Sequence, residues 1–259
     1  MSPISTIRAY EPDSGHVTAA RIAEQLTFLA GRLPPPPARI LDAGCGHGDL
    51  ARALGQAGYA VLGVDADPVA VNSAAARGVA ALSADLADYQ DEHPFDVVLC
   101  SLSLHHMADL PGAVRRAWTL LRPGGTLVVD EFAWERADAA TAGWYHDMAA
   151  VLGATGTLRP EPDGRPVEPS HAHWVERHRD GYRLHPGEAV VREIAGFFDI
   201  RETVRVPYLH RYLGDRLGDD ADGLAVFTVL RDIERLRVAD GGLTAVGLRL
   251  LARALPKGN

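Results

Sequence analysis

Short apolar runs alternate along this chain with stretches whose apolar positions recur at helical spacing. From about Ser14 to Gly31, Val17, Ala20, Ile22, Ala23, Leu26 and Leu29 predict a helix. Pro34 to Pro37 then form a stiff connector, and Ile40-Leu41 opens a first strand. Helices are predicted over 49–57 and 69–77, each ended by a glycine, with Pro68 at a first-turn position. Strands fall at 60–65, 79–85, 95–100 and 126–130, and a helix over 110–121 precedes Pro123-Gly124-Gly125. Alternation over 199–206, a helical stretch over 224–238 and a last strand over 246–253 follow. Short apolar strands alternating with helices predict an α/β fold, Rossmann-like and doubly wound, with a mostly parallel seven-stranded sheet.

The pattern breaks after Glu131, and residues 132–187 are rich in aromatics, His, Arg and Pro. This stretch reads as a helical lid inserted after the fifth strand. The expected division is therefore a core with an N-terminal cap helix over 1–131, an acceptor-binding insertion over 132–197, and 198–259 completing the sheet.

Composition narrows the function classes. The chain has 259 residues, 47% of them hydrophobic, enough for a sizeable core. Its formal net charge is −8, without a long basic run, which argues against nucleic acid or an anionic membrane as partner. The two cysteines, Cys45 and Cys100, form no zinc spacing or disulfide framework, and the first residues carry no secretory pattern. A cytoplasmic protein is expected, and a homodimer is left open.

The chemistry centres on Asp42-Ala43-Gly44-Cys45-Gly46-His47-Gly48, between the first strand and the next helix. Glycine permits close backbone approach and positive φ. The spacing is not the G-x-G-x-x-G of a dinucleotide site, because the glycines stand at 44, 46 and 48. An acid just before the first glycine would repel a phosphate and suits an ammonium or sulfonium. Asp65 ends the second strand, where a carboxylate can accept both hydroxyls of a ribose. Asp85, followed by Leu86, ends the third, where an acid can accept an exocyclic amine beside an apolar cover. All of these ends lie at the carboxyl edge of a parallel sheet.

Taken in order, Leu41-Asp42-Ala43-Gly44-Cys45-Gly46, Gly63-Val64-Asp65, Ala84-Asp85-Leu86, Phe95 to His106 and Leu121-Arg122-Pro123-Gly124-Gly125-Thr126-Leu127 resemble the class I S-adenosylmethionine-dependent methyltransferases. The small-molecule branch, which includes quinone-biosynthesis and natural-product enzymes, is the nearest in flavour. The resemblance implies S-adenosylmethionine as methyl donor, S-adenosylhomocysteine as product, and a small, apolar or aromatic acceptor methylated on O, N or C. It places Asp42, Ala43, Gly44, Cys45 and Gly46 at the methionine end, Asp65 with Ala66 at the ribose, and Asp85 with Leu86 at the adenine. Cys100 and Ser101 would line the sulfonium side, His106 would close over it, and Tyr10 is a further donor-capping candidate.

For the acceptor wall the favoured residues are Tyr145, Trp174, Tyr208 and Tyr212. No catalytic residue is assigned. His105 or His106 is weighed as a general base, but packing at the pocket floor is the preferred reading. Cys45 and Cys100 read as small buried hydrophobes. His171, His173 and His178 lack a recognised ligand spacing, so no metal is expected. The competing functions are a non-methylating cyclase or binding protein on the same fold, a nucleic-acid or protein methyltransferase, and a nicotinamide-dependent dehydrogenase.

Overall fold

The computed structural model describes residues 16–160 and 170–257. Tyr10 lies outside these described residues. Among them, one sheet is built from β1 (Arg39–Ala43), β2 (Ala60–Asp65), β3 (Ala81–Ser83), β4 (Phe95–Ser101), β5 (Leu121–Phe132), β6 (Phe198–Val206) and β7 (Gly247–Ala254). Its order is β3-β2-β1-β4-β5-β7-β6. The first five strands run parallel, and β7 enters antiparallel between β5 and β6. The winding reverses between β1 and β4, so a crevice opens outside their carboxyl ends.

The helices are α1 (His16–Leu29), α2 (Asp49–Gln56), α3 (Pro68–Ala76), α4 (Leu110–Leu120), α5 (Ala139–Ala154), α6 (His171–Glu176), α7 (Gly187–Ala195), α8 (Leu209–Gly214) and α9 (Ala221–Ala239). Strand alternation sorts the core into two layers. Ile40, Val97, Leu99 and Val128 meet Ile22, Leu26 and Leu29 of α1 and Leu50 and Leu54 of α2. On the opposite face Leu41, Val98 and Leu127 meet Ala113 and Ala117 of α4 and Val190 and Ile194 of α7. Both faces of β4 are covered, which explains its unbroken apolar run.

Aspartates start four of the helices. Asp67 accepts the Val69 N–H at 2.8 Å, Asp109 that of Gly112 at 2.9 Å, Asp138 that of Thr141 at 2.8 Å and Asp220 that of Gly223 at 2.8 Å. Each such cap contributes about 1 kcal/mol. Asp96, at the start of β4, accepts from the Arg39 backbone N–H at 2.8 Å and Arg122 Nε at 2.5 Å, a structural pairing.

Three features differ from the expectations. β3 is only three residues long, because it is the exposed edge and has no second neighbour to pair with. β5 begins at Leu121 and runs through Pro123-Gly124-Gly125, with a register shift opposite Phe95 and Val97, so the turn residues bend the strand. Within 132–197, α7 packs on α4 as part of the layer covering the sheet, while α5 and α6 build a separate aromatic cluster with α8 and α9. α8 is capped from outside: the buried Glu234 of α9 accepts the backbone N–H groups of Tyr208, Leu209 and His210 at 2.7–2.9 Å.

Candidate active site

The glycine turn after β1 is tied to the end of β2. Gly44 and Cys45 donate their N–H groups to the Val64 carbonyl at 2.7 and 3.2 Å. Asp65 accepts the Gly46 N–H on one oxygen at 2.8 Å and the Asp67 N–H on the other at 2.9 Å. Asp65 therefore joins two loops, while Asp67 caps α3. Each Asp65 oxygen keeps a second lone-pair direction.

Gly44 has φ +80°, and a Cβ there would collide with Cβ of Ser103 in the loop after β4. Gly46 has φ +53°, and a Cβ there would meet no atom within 4 Å, because it stands at open space. Gly44→Ala should thus combine backbone strain with overpacking and cost about 2–4 kcal/mol. Urea unfolding would read this as a lower midpoint with an unchanged slope. Gly46→Ala should be milder in stability, by about 1 kcal/mol, from its positive φ alone.

These loops border a cleft of about 510 Å³ at the carboxyl edge of the sheet. Gly44, Gly46, Asp65, Ala66, Asp85, Leu86 and His106 all line it, as do Val64, Ala84, Leu102, Ser103, Met107 and Ala108. Asp85 is exposed and accepts the Ala87 N–H at 2.9 Å, so it shapes its own turn. Leu86 beside it is buried.

Other predicted residues stand behind this wall. Asp42 is 2% exposed, and its Oδ2 has no hydrogen-bond partner among the described residues. Burial, with the nearby Asp65 charge, pushes its carboxyl up to about 7. Ala43 is buried, and its carbonyl accepts the Ser103 hydroxyl at 2.7 Å. Cys45 packs beside Gly63, and burial raises its thiol to about 12, far from a reactive thiolate. Cys100 is fully buried in the core, and its thiol is pushed up likewise. Ser101 is turned to α1, where it accepts from Gln25 Nε2 at 2.5 Å. Strand alternation explains this: only some residues at a strand end can face the crevice.

One decisive residue carried no sequence signal. Glu131, fully buried near the end of β5, accepts the N–H groups of Ser103 and Leu104 at 2.9 and 2.6 Å and meets His105 Nδ1 with its other oxygen. It thereby shapes the loop that carries the cleft wall. Leu102, in that loop, has φ +56° and is held by donating to the Asp130 carbonyl at 2.7 Å. A branched residue in the left-handed region is a strained conformation, and such strain concentrates at functional sites.

The expected acceptor residues lie beyond Leu102, which packs against their cluster. They stack on one another: Tyr145 on Tyr212 at 5.1 Å, Tyr208 on Phe132 at 4.5 Å, and Trp174 edge-on to Tyr145 at 5.3 Å. Tyr145, Trp174 and Tyr208 are buried and Tyr212 is half-buried, and none of the four lines the cleft. Aromatic side chains with this much apolar area fill the space between α5, α6 and α8 themselves. Among the described residues no group of three or more His, Cys, Asp or Glu is arranged to hold a metal. His171 Nε2 meets the Ala137 carbonyl at 2.8 Å.

Residues 15–157 match the family model described as "Methyltransferase domain". The chain belongs to this methyltransferase family. A ubiquinone biosynthesis O-methyltransferase of Xanthomonas campestris pv. campestris is 34% identical over 148 residues, covering 54% of this chain and 59% of that protein. A relative of the same description from Xylella fastidiosa is 33% identical over 150 residues, covering 54% and 57%. The chain thus spans a little over half the length of these relatives. In fold it resembles an S-adenosylmethionine-dependent methyltransferase from Mesorhizobium loti, with TM-score 0.55, 20% identity, and 92% and 97% of the two chains covered.

Proposed function

We propose that this protein transfers a methyl group from S-adenosylmethionine to a small molecule. The observation that carries this reading is the convergence of Gly44, Gly46, Asp65, Asp85 and Leu86 on one cleft. The residues suit the donor's separate parts. Asp42, buried behind the glycine turn with an oxygen unpartnered among the described residues, suits the cationic methionine end through its charge across that turn. Asp65 is placed to accept from a diol, and Asp85 with Leu86 suits the amine and face of an adenine. When bound, the donor supplies a methyl group already activated by its positive sulfur.

The work left to the chain is alignment and exclusion of water. Leu102, Met107 and Ala108 give the cleft an apolar wall, and Glu131 holds that wall in place through Ser103 and Leu104. No general base is required for such a transfer unless the acceptor must lose a proton.

Calorimetric titration with S-adenosylhomocysteine tests this reading directly, and the absence of binding would end it. Accumulation of S-adenosylhomocysteine from the donor and a candidate acceptor distinguishes methyl transfer from a non-methylating use of the same cleft.

The raised Asp42 carboxyl adds a pH signature. In the free protein this group titrates at about 7, and a bound cation favours its charged form. Donor binding should therefore release a proton below that pH, and affinity should rise between about pH 5.5 and 7. Asp42→Asn should flatten this rise. Proton release measured in two buffers of different ionisation enthalpy would check it, and a slope unchanged in the variant would refute the role of Asp42.

Among the described residues no helix is long and apolar enough to cross a membrane. We further infer that the acceptor approaches from the aromatic side, with Tyr145, Trp174, Tyr208 and Tyr212 shaping its site through the cluster that supports Leu102. Leu102 touches both the cleft and that cluster, which is the support for this placement.

A further inference from the structure

α9 carries apolar residues on two opposite faces. Gly223, Phe227 and Leu230, with Glu234, are buried against the fold. On the other side of the helix Ala225, Val229, Ile233 and Leu236 form a second stripe, and all four are exposed. Val229 is 57% exposed, Ile233 37% and Leu236 69%. The remaining large hydrophobic side chains left open among the described residues, Val69, Leu82, Val151, Tyr182 and Leu255, stand singly on separate elements. A lone exposed hydrophobe is ordinary, whereas a contiguous apolar stripe marks an interaction surface.

The charges beside this stripe select what can cover it. Asp222 lies in the first turn of α9 and Arg237 in the last. At about 100° per residue both fall on one flank of the stripe, about 22 Å apart along the axis. A helix with opposite charges at its two ends complements a copy of itself only when that copy is reversed. Laid antiparallel with its midpoint between Val229 and Leu230, a second α9 brings Asp222 opposite the partner's Arg237, and two-fold symmetry makes this contact twice. The same register sets Val229 against its own copy at the axis, Ile233 against Val226, and Leu236 over the small Ala225. On the other flank Arg231, Asp232 and Arg235 face the uncharged stretch from Leu224 to Thr228, so no like charges meet there.

A shallow hollow lined by Ile233, Leu236, Arg237, Ala239 and Asp240 lies where the reversed copy's first turn arrives. Asp240 also stands there and pairs with Arg237 at 3.5 Å. Both are more than half exposed, so the guanidinium has donors left for a second carboxylate. A parallel copy would instead set Asp222 against Asp222 and Arg237 against Arg237.

We propose that the protein self-associates through α9 as an antiparallel two-fold dimer centred on Val229. None of these residues lines the donor cleft, so the proposal stands independently of the methyltransferase reading. A single helix pair is a small interface, so the dissociation constant should be micromolar, about 1–100 μM.

Sedimentation equilibrium on the full chain tests this. Wild type should pass from monomer to dimer between about 1 and 300 μM. Val229→Glu sets two carboxylates against each other at the axis and should weaken association at least about tenfold. Thermal melting serves as the folding check, and it should change little because the side chain is exposed. Asp222→Arg alone, or Arg237→Asp alone, sets like charges opposite one another twice and should weaken association about threefold to tenfold. An equimolar mixture of those two variants places opposite charges at both contacts and should recover the wild-type affinity. A wild-type chain that stays monomeric to about 300 μM overturns the proposal. So does a Val229→Glu chain that dimerises as wild type does, or a mixture that associates no better than its components.

Discussion

Asp65→Ala should weaken S-adenosylhomocysteine binding by about 10²–10³-fold, the largest loss expected from any single cleft residue. Two effects add. The variant loses the carboxylate that faces a diol, where charge-assisted hydrogen bonds contribute about 1.5–3 kcal/mol each. It also frees the Gly46 and Asp67 N–H groups that Asp65 now holds at 2.8 and 2.9 Å, loosening both walls of the cleft. Asp65→Asn separates the two effects. Its carbonyl oxygen can still accept one backbone N–H, but its NH₂ cannot accept from a hydroxyl, so it should fall between wild type and alanine. Calorimetry gives the affinities, and thermal melting of the unliganded variants gives the loop contribution. If Asp65→Ala bound S-adenosylhomocysteine as tightly as wild type, Asp65 would be only a loop staple.

Glu131→Ala should be the most destabilising single change near the site, by about 3–5 kcal/mol. Glu131 is fully buried and receives four groups: the N–H groups of Ser103, Leu104 and Phe132 and the ring of His105. Alanine leaves these without their partner inside the fold, and each unpaired buried group costs about 1–3 kcal/mol before relaxation. The loop from Leu102 to Ala108 should then move, so donor affinity should fall together with stability, although Glu131 does not line the cleft. Glu131→Gln keeps the shape and one acceptor oxygen and should recover most of both losses. Urea unfolding and calorimetry on the same two variants check this. A Glu131→Ala protein as stable as wild type would show that this carboxylate does not hold the loop.

Much of this molecule was legible in order along the chain. The alternation of apolar runs and amphipathic stretches placed the strands near their observed positions, because each must bury a face and the burial period differs between strand and helix. The turn Asp42 to Gly48 and the strand-end acids Asp65 and Asp85 were legible for a related reason. Their spacing follows from the local chain path, strand then turn then helix, and the parallel sheet carries them to one edge. That is why Gly44, Gly46, Asp65, Asp85 and Leu86 meet at a single cleft.

Other residues resisted reading because their partners are distant. Cys100 and Ser101 belong to the expected strand end, but the pleat turns one into the core and the other to Gln25 of α1. Glu131 is an ordinary strand acid until residues 103–105 fold over it, and Glu234 is an ordinary helix acid until α8 docks on it. The aromatic residues of 132–212 read as an acceptor wall, whereas Tyr145, Trp174 and Tyr208 are buried in one aromatic cluster around Phe132 and Tyr212.

The sequence by itself determined the winding of the sheet and the donor-cleft turn, since both depend on local periodicity and glycine backbone freedom. Only the tertiary structure decided which buried carboxylates hold the loops and the start of α8. Those outcomes depend on hydrogen bonds made across many residues of chain, and no local pattern encodes where such a partner will arrive.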